Sequence, residues 1–343
     1  MKSRKSVYTM IVSSVALLVL ILDANTALSG ATYGVEICVR TLIPSLFPFF
    51  VLSVLLTNVF AGVKIPLLTY LGKMIGIPVG AESILVAGFL GGYPVGAQCI
   101  GQAYQAGQIK KQDALHMLAF CNNAGPAFLF GMAGTLFTEQ RIPFVLWIIH
   151  ILSAISVGVL FSRQAEGQME ILPAQPISQS QAVNMALRSM ALVCGWVVLF
   201  RVLLSFLQRW LFWLLPGPIC VFLSGILELA NGCMELNRLP EEELRFLLVS
   251  IFLGFGGMCV GMQTCGILGQ CGLNSGRYFP GKILHGIISG LMAWLVIPLV
   301  FPDSTIPMFR MVWFPSGLLL ISYAHGFLKF RKNNSSIPSK AGV

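Results

Sequence analysis

Between Val7 and Phe327 the chain is a succession of apolar runs, most of them near the length that crosses a bilayer, separated by short polar connections. In hydrocarbon every backbone N–H and C=O must be satisfied within the protein, so such runs fold as helices packed into a bundle. At roughly 20 residues per crossing there is room for about nine or ten membrane segments. Composition agrees: only 10% of residues are charged and the mean hydropathy is +0.81, where a soluble domain carries about 25% charged residues. The chain is therefore read as an integral membrane protein with lipid around it. Its net charge of +9 sits in tails and short connections, as positive-inside topology requires. No basic patch interleaved with exposed aromatics suggests nucleic acid.

Two of the runs contain residues that a continuous membrane helix does not want. Gly88 to Gln98 reads GFLGGYPVGAQ and Gly254 to Gln263 reads GFGGMCVGMQ, each with Gly-Gly, two residues, Val-Gly, one residue and Gln. Glycine and proline there free backbone groups at bilayer depth, tolerated only where protein or a water-lined cavity satisfies them. Interrupted segments in corresponding positions of two halves point to a transporter's binding site. The expected fold is an all-α polytopic transmembrane bundle of two related halves, an inverted repeat being one arrangement open to them, each with a Gly/Pro-broken segment of re-entrant type. Whether those segments are hairpins or full spans is left open by the sequence.

Taken in order, residues 1–34 form a cationic start and an apolar helix, Val7 to Leu22, read as an uncleaved signal anchor, with a signal sequence cleaved among the small residues Ala27 to Ala31 as the alternative. Residues 35–163 form the first transmembrane half, where Pro44 and Pro48 are expected to kink or interrupt the helix. Residues 164–181, rich in Pro, Gln and Ser, read as a linker. Residues 182–328 form the second half and 329–343 a basic tail. The spans in the second half include Ala182 to Leu207, interrupted by Arg188 and Arg201, and Trp210 to Leu229. Arg201 is either an end-of-span snorkeller, the favoured reading, or a charge inside the bundle. Positive charge at both ends places both termini in the cytoplasm.

The candidate chemistry lies in a few intramembrane polar residues. Asn122 and Asn123 stand in the middle of the apolar stretch Ala114 to Phe137, costly unless they face a polar interior. Glu228 and Asn231, three apart, are expected on one helix face and could bind a coupling cation or proton. Gly91, Gly92, Gly256 and Gly257 would let backbone approach a solute closely. Tyr93, Gln98 and Gln263, with the two asparagines, complete the expected solute-binding set. Lys282 and His285, one helical turn apart, could contact an anion. The competing reading is that the small residues serve only helix packing and the amides only tie helices together. The nine cysteines include no C-x-x-C pair and read as buried free thiols rather than metal ligands. No nucleophile–base constellation stands out among the serines and four histidines, so no catalytic residue, metal or cofactor is assigned.

Five stretches in chain order carry a resemblance: Phe47–Phe50 (FPFF), Gly88–Ala97 (GFLGGYPVGA), Phe120–Gly131 (FCNNAGPAFLFG), Gly225–Gly232 (GILELANG) and Gly254–Gln263. Together they resemble the YlbJ-type sporulation integral membrane proteins, within the nucleoside-recognition or Gate domain group. The resemblance implies a role in endospore formation at the bacterial cytoplasmic or forespore membrane, and movement of a small anionic or nucleoside-like solute such as dipicolinate. It also sets expectations that this chain does not meet. Gly261-Met262-Gln263 stands where the family pattern has His-Ala-Gln, and Lys282 stands where it has Arg. A non-transporting membrane scaffold required for spore formation is the alternative function, and the oligomeric state is not legible.

Overall fold

The computed structural model describes residues 4–60, 66–162, 165, 168–169 and 177–302. The expected last span, Met308 to Phe327, the tail 329–343 and most of the linker lie outside the described residues. Those described are almost all helical, with one parallel bridge between Val79 and Gln168. Helix α1 (Arg4–Leu22) ends at Asp23, whose carboxylate caps Thr26 N–H at 3.3 Å and pairs with Arg209 at 3.0 Å. Helix α2 (Ala24–Ile37) runs straight across the expected boundary at residue 34 and enters α3 (Ile43–Phe60) through a π turn at Cys38–Leu42. Pro44 and Pro48 have no N–H to offer the preceding turn, and the helix answers by widening just before them instead of breaking.

Short α4 (Pro66–Ile75) leads to two interrupted pairs, α5 (Glu82–Leu90) with α6 (Val95–Gln105), and α7 (Lys111–Met117) with α8 (Pro126–Gly131), then straight α9 (Ile142–Leu160). The second part begins with α10 (Gln179–Trp210), started by a capping box between Ser178 and Gln181. It is continuous through Arg188 and Arg201, which do not interrupt it. Two more interrupted pairs follow, α11 (Gly217–Leu227) with α12 (Leu229–Leu236), and α13 (Glu242–Phe255) with α14 (Gly257–Gln270), then straight α15 (Tyr278–Val300).

Among the described residues five stretches are long and apolar enough to cross a bilayer: Ala24–Leu56, Ile142–Leu160, Gln179–Trp210, Glu242–Gln270 and Tyr278–Val300. This differs from a regular series of crossings of about 20 residues, and the interruptions are the reason. Helices α9, α13 and α15 pack on one another to form the middle. On one side α2 lies on α10, where added Cβ atoms at Gly30 and Gly34 would come within 3.0 Å of the backbone at Val202 and Val198. That close approach is the packing role small residues play in lipid. The main core cluster runs from Leu42, Leu46 and Phe50 through Phe128 and Val193 to Phe252 and Val260. It wraps the region where the interruptions meet.

Candidate functional site

Four interruptions define this region. The chain leaves helix at Gly91–Pro94, through a cis Tyr93–Pro94 bond, and again at Asn122–Gly125. It does so a third time at Glu228, in extended conformation (φ −146°, ψ 121°), and a fourth at Gly256–Gly257, with φ of 85° and 81°. Two consecutive left-handed residues are a conformation that glycine adopts without a Cβ penalty. The interruptions touch one another. A Cβ on Gly92 would stand 3.0 Å from the Gly125 nitrogen, and one on Gly257 would stand 3.1 Å from the Leu229 nitrogen. The Tyr93 hydroxyl donates to the Leu253 carbonyl at 3.2 Å, joining the first interruption to the fourth. Gly88 and Gly96 flank the carbonyl of Cys121 so closely that a Cβ on either would collide with it.

Two spaces open beside these contacts. The inner one, about 50 Å³, is lined by Gly91, Gly92, Tyr93, Gly125, Glu228 and Gln263 against an apolar wall that includes Leu46, Phe50, Phe128 and Val197. By that measure it holds a few waters. The outer one, about 680 Å³, is a vestibule between α6, α10 and α14. Its polar lining comes from Gln98, Gln102 and Gln105 on one side and Gln263 and Gln270 on the other, with Arg188 and Ser189 from α10. Metabolite pockets occupy about 300–1,000 Å³, so the vestibule has room for one and the inner space does not. Gln263 belongs to both, is buried, and its Oε1 has no hydrogen-bond partner. A buried amide oxygen left unpaired costs about 1–3 kcal/mol, and Gln263 is a residue that the linings of the two spaces share.

Glu228 is the carboxylate of the inner space, 2% exposed. It is the N-cap of α12: Oε1 accepts from Ala230 N–H at 3.0 Å, and Oε2 accepts from Asn231 N–H and Asn231 Nδ2, both at 2.6 Å. The expected shared helix face of Glu228 and Asn231 is thus corrected to a cap with its third-position partner. Behind Asn231 stands Arg201, which donates to Asn231 Oδ1 at 3.4 Å and lies 3.8 Å from Glu235. Its guanidinium also covers the Tyr33 ring at 4.4 Å, so Arg201 is a charge of the bundle interior and not a snorkeller. Glu235, buried on α12 and paired with Arg238 at 2.6 Å, is a participant that sequence reading missed. Its place seven residues beyond Glu228, about two helical turns, was the available signal.

Lys282 forms a second buried centre, 1% exposed on α15. Its Nζ reaches Asn122 O at 3.1 Å, Asn123 Oδ1 at 3.3 Å and His285 Nδ1 at 3.1 Å. Asn122 in turn accepts from Ala97 N–H (3.2 Å) and donates to Thr264 (3.0 Å), while Asn123 donates to Phe120 O (2.7 Å). Of the sequence-predicted site residues, Gly91, Gly92, Tyr93, Glu228 and Gln263 line the inner space, and Gln98 and Gln263 the vestibule. Asn122, Asn123, Asn231, Gly256, Gly257, Lys282 and His285 stand behind the walls. Glu82, buried at the start of α5, takes hydrogen bonds from Thr69 and Gly80 N–H, both at 2.8 Å. All nine cysteines are free thiols.

Discontinuous helices meeting around a buried carboxylate, inside a bundle with several membrane-length helices, define an all-α polytopic integral membrane protein. Within that class the chain is similar to sporulation integral membrane protein YlbJ of Bacillus subtilis (strain 168), 24% identical over 310 residues, covering 77% of this chain and 76% of that one. The likeness supports membership of the YlbJ-type family, as the ordered motifs implied. No protein-family profile matches the chain, and no solved structure matches it.

Proposed function

We propose that this protein is a permease that moves a small polar, anionic metabolite across a bacterial membrane during sporulation. The observation that carries this reading is that three backbone interruptions line a space walled by Glu228 and Gln263, with the fourth packed behind it and a glutamine-lined vestibule alongside. Backbone unwound at membrane depth is tolerated where it lines a cavity, and is where transporters hold solute and coupling ion. Among the described residues Arg188 is the one cation lining the vestibule, which suits an anion arriving there. A carboxylate such as Glu228 repels that anion in the low-dielectric interior unless it carries a proton or a cation. Solute transit is therefore coupled to a proton or cation at Glu228, with Asn231 fixing the carboxylate.

Two related halves fit the same reading. Each runs as a long helical stretch, two interrupted pairs and an uninterrupted helix, the first half adding short α4 before its first pair. The straight helices α9 and α15 meet through like pairs, His150 stacked on His285 at 4.8 Å and Ser153 against Ser289 at 2.7 Å. In that order the interruption at Gly91 corresponds to the one at Glu228, and Asn122–Gly125 to Gly256–Gly257. The two Gly-Gly motifs then occupy different places in their halves, although they touch through Tyr93. A relation to Gate-domain proteins and a dipicolinate- or nucleoside-like solute remain part of this proposal.

A thermal-stability screen of the purified protein against dipicolinate, aliphatic dicarboxylates and nucleosides tests it. A midpoint raised by one solute class in wild type, and not in Gln263→Leu, is expected. Indifference of the wild-type protein to every class turns the reading toward a non-transporting scaffold.

A further inference from the structure

We infer that the ammonium group of Lys282 is a built-in cation, occupying a monovalent-cation site that the interruption at Asn122–Gly125 creates. Unwinding a helix in hydrocarbon frees carbonyl oxygens, and those oxygens need either a donor or a positive ion. At this interruption the freed Asn122 carbonyl, the Asn123 side-chain oxygen and the His285 Nδ1 lone pair all point to one position, with separations of 3.1, 3.3 and 3.1 Å from Lys282 Nζ. The face of Tyr93 stands 5.2 Å away on another side, a favourable seat for a cation.

The stoichiometry fits a charged group. An ammonium has three hydrogens and meets three acceptors here, whereas a neutral amine has two and would turn its lone pair toward one of them. His285 is set to accept, because its Nε2 lies 3.1 Å from the His150 carbonyl and so carries the ring proton. The stacked His150 supplies no acid partner, and among the described residues no carboxylate lies within ion-pair distance of Lys282. This is a coordination set of neutral oxygens and a nitrogen around one positive charge, which is what a dehydrated alkali or ammonium ion takes. Because the ion is tethered to α15, this interruption is held to α15 permanently and needs no dissolved sodium. The inference stands apart from the permease reading, since it concerns what fills a site and not what crosses the membrane.

Thermal unfolding of the detergent-solubilised full chain tests it, in sodium, potassium, methylammonium and choline chloride at equal ionic strength. Wild type should have the same midpoint in all four. Lys282→Met should lose several degrees in choline and regain at least half of that loss in sodium, potassium or methylammonium, while Lys282→Arg should stay indifferent to the salt. A Lys282→Met protein as stable as wild type in choline, or one destabilised and lifted by no small cation, overturns the inference. If Lys282→Met is not recovered folded, wild type and Asn123→Ala decide. Wild type stabilised by sodium over choline, with the preference lost in Asn123→Ala, would show an ion site still open to solution and would equally overturn it; indifference of both to the salt supports it.

Discussion

Glu228 and Lys282 give the same signal in the sequence, a charge within an apolar run, and hold different offices in the fold. Glu228 is itself a break in the helix, Lys282 reaches one from continuous α15, and each is almost fully buried. Glu228 meets backbone and amide N–H groups on one side and lines the inner space with the other. Lys282 has every ammonium hydrogen directed at a protein acceptor and lines neither space. A buried charge marks a binding site when some of its hydrogen-bonding capacity remains open, and a fastening when none does. The two can be told apart by separating stability from transport.

The largest stability effect is expected at the fastening. Lys282→Met leaves three acceptors unpaired and should cost about 3–5 kcal/mol, in the range for breaking a buried polar cluster from one side, measured as a lowered midpoint in choline chloride. Next comes Gly96→Ala, whose methyl would collide with the Cys121 carbonyl. Overpacking of that kind costs roughly 1–3 kcal/mol, and the loss should appear without any change in which solutes stabilise the protein. Glu228→Gln keeps an oxygen for the cap of α12 and should cost about 1 kcal/mol, yet it should abolish coupled uptake. The smallest stability effect belongs to Gln263→Leu, within about 0.5 kcal/mol or slightly favourable, since it removes an unsatisfied oxygen. Its expected consequence is a roughly tenfold loss of solute affinity, the worth of one hydrogen bond at a buried site, read by the shift of the half-saturating concentration. Equal losses of stability at Glu228 and Lys282 would break the comparison.

Much of the fold was legible because hydrocarbon is an undemanding reader: long apolar runs must be helices, and Gly-Gly-x-Pro must interrupt one. The interruption at Gly91–Pro94 follows from local chemistry. The interruption at Glu228 was not legible, since GILELANG contains no proline and its glycines lie away from the break. The carboxylate itself ends one helix by capping the next. The asparagine pair was legible as costly, but not its purpose, because its partners Thr264 and Lys282 are about 140 and 160 residues away. The vestibule had a readable signature in Gln98, Gln102 and Gln105, spaced to share a helix face, which gains meaning only beside Gln263 and Gln270 of α14.

Uptake into proteoliposomes tests most directly the claim that the interruptions exist to hold and pass a solute. With reconstitution matched for folded protein, wild type should accumulate a small anion under an imposed proton or cation gradient and Glu228→Gln should not, while Lys282→Arg should retain uptake. Gradient-driven accumulation that is the same in wild type and Glu228→Gln, or none in a wild-type protein that keeps its full thermal stability, would contradict the account.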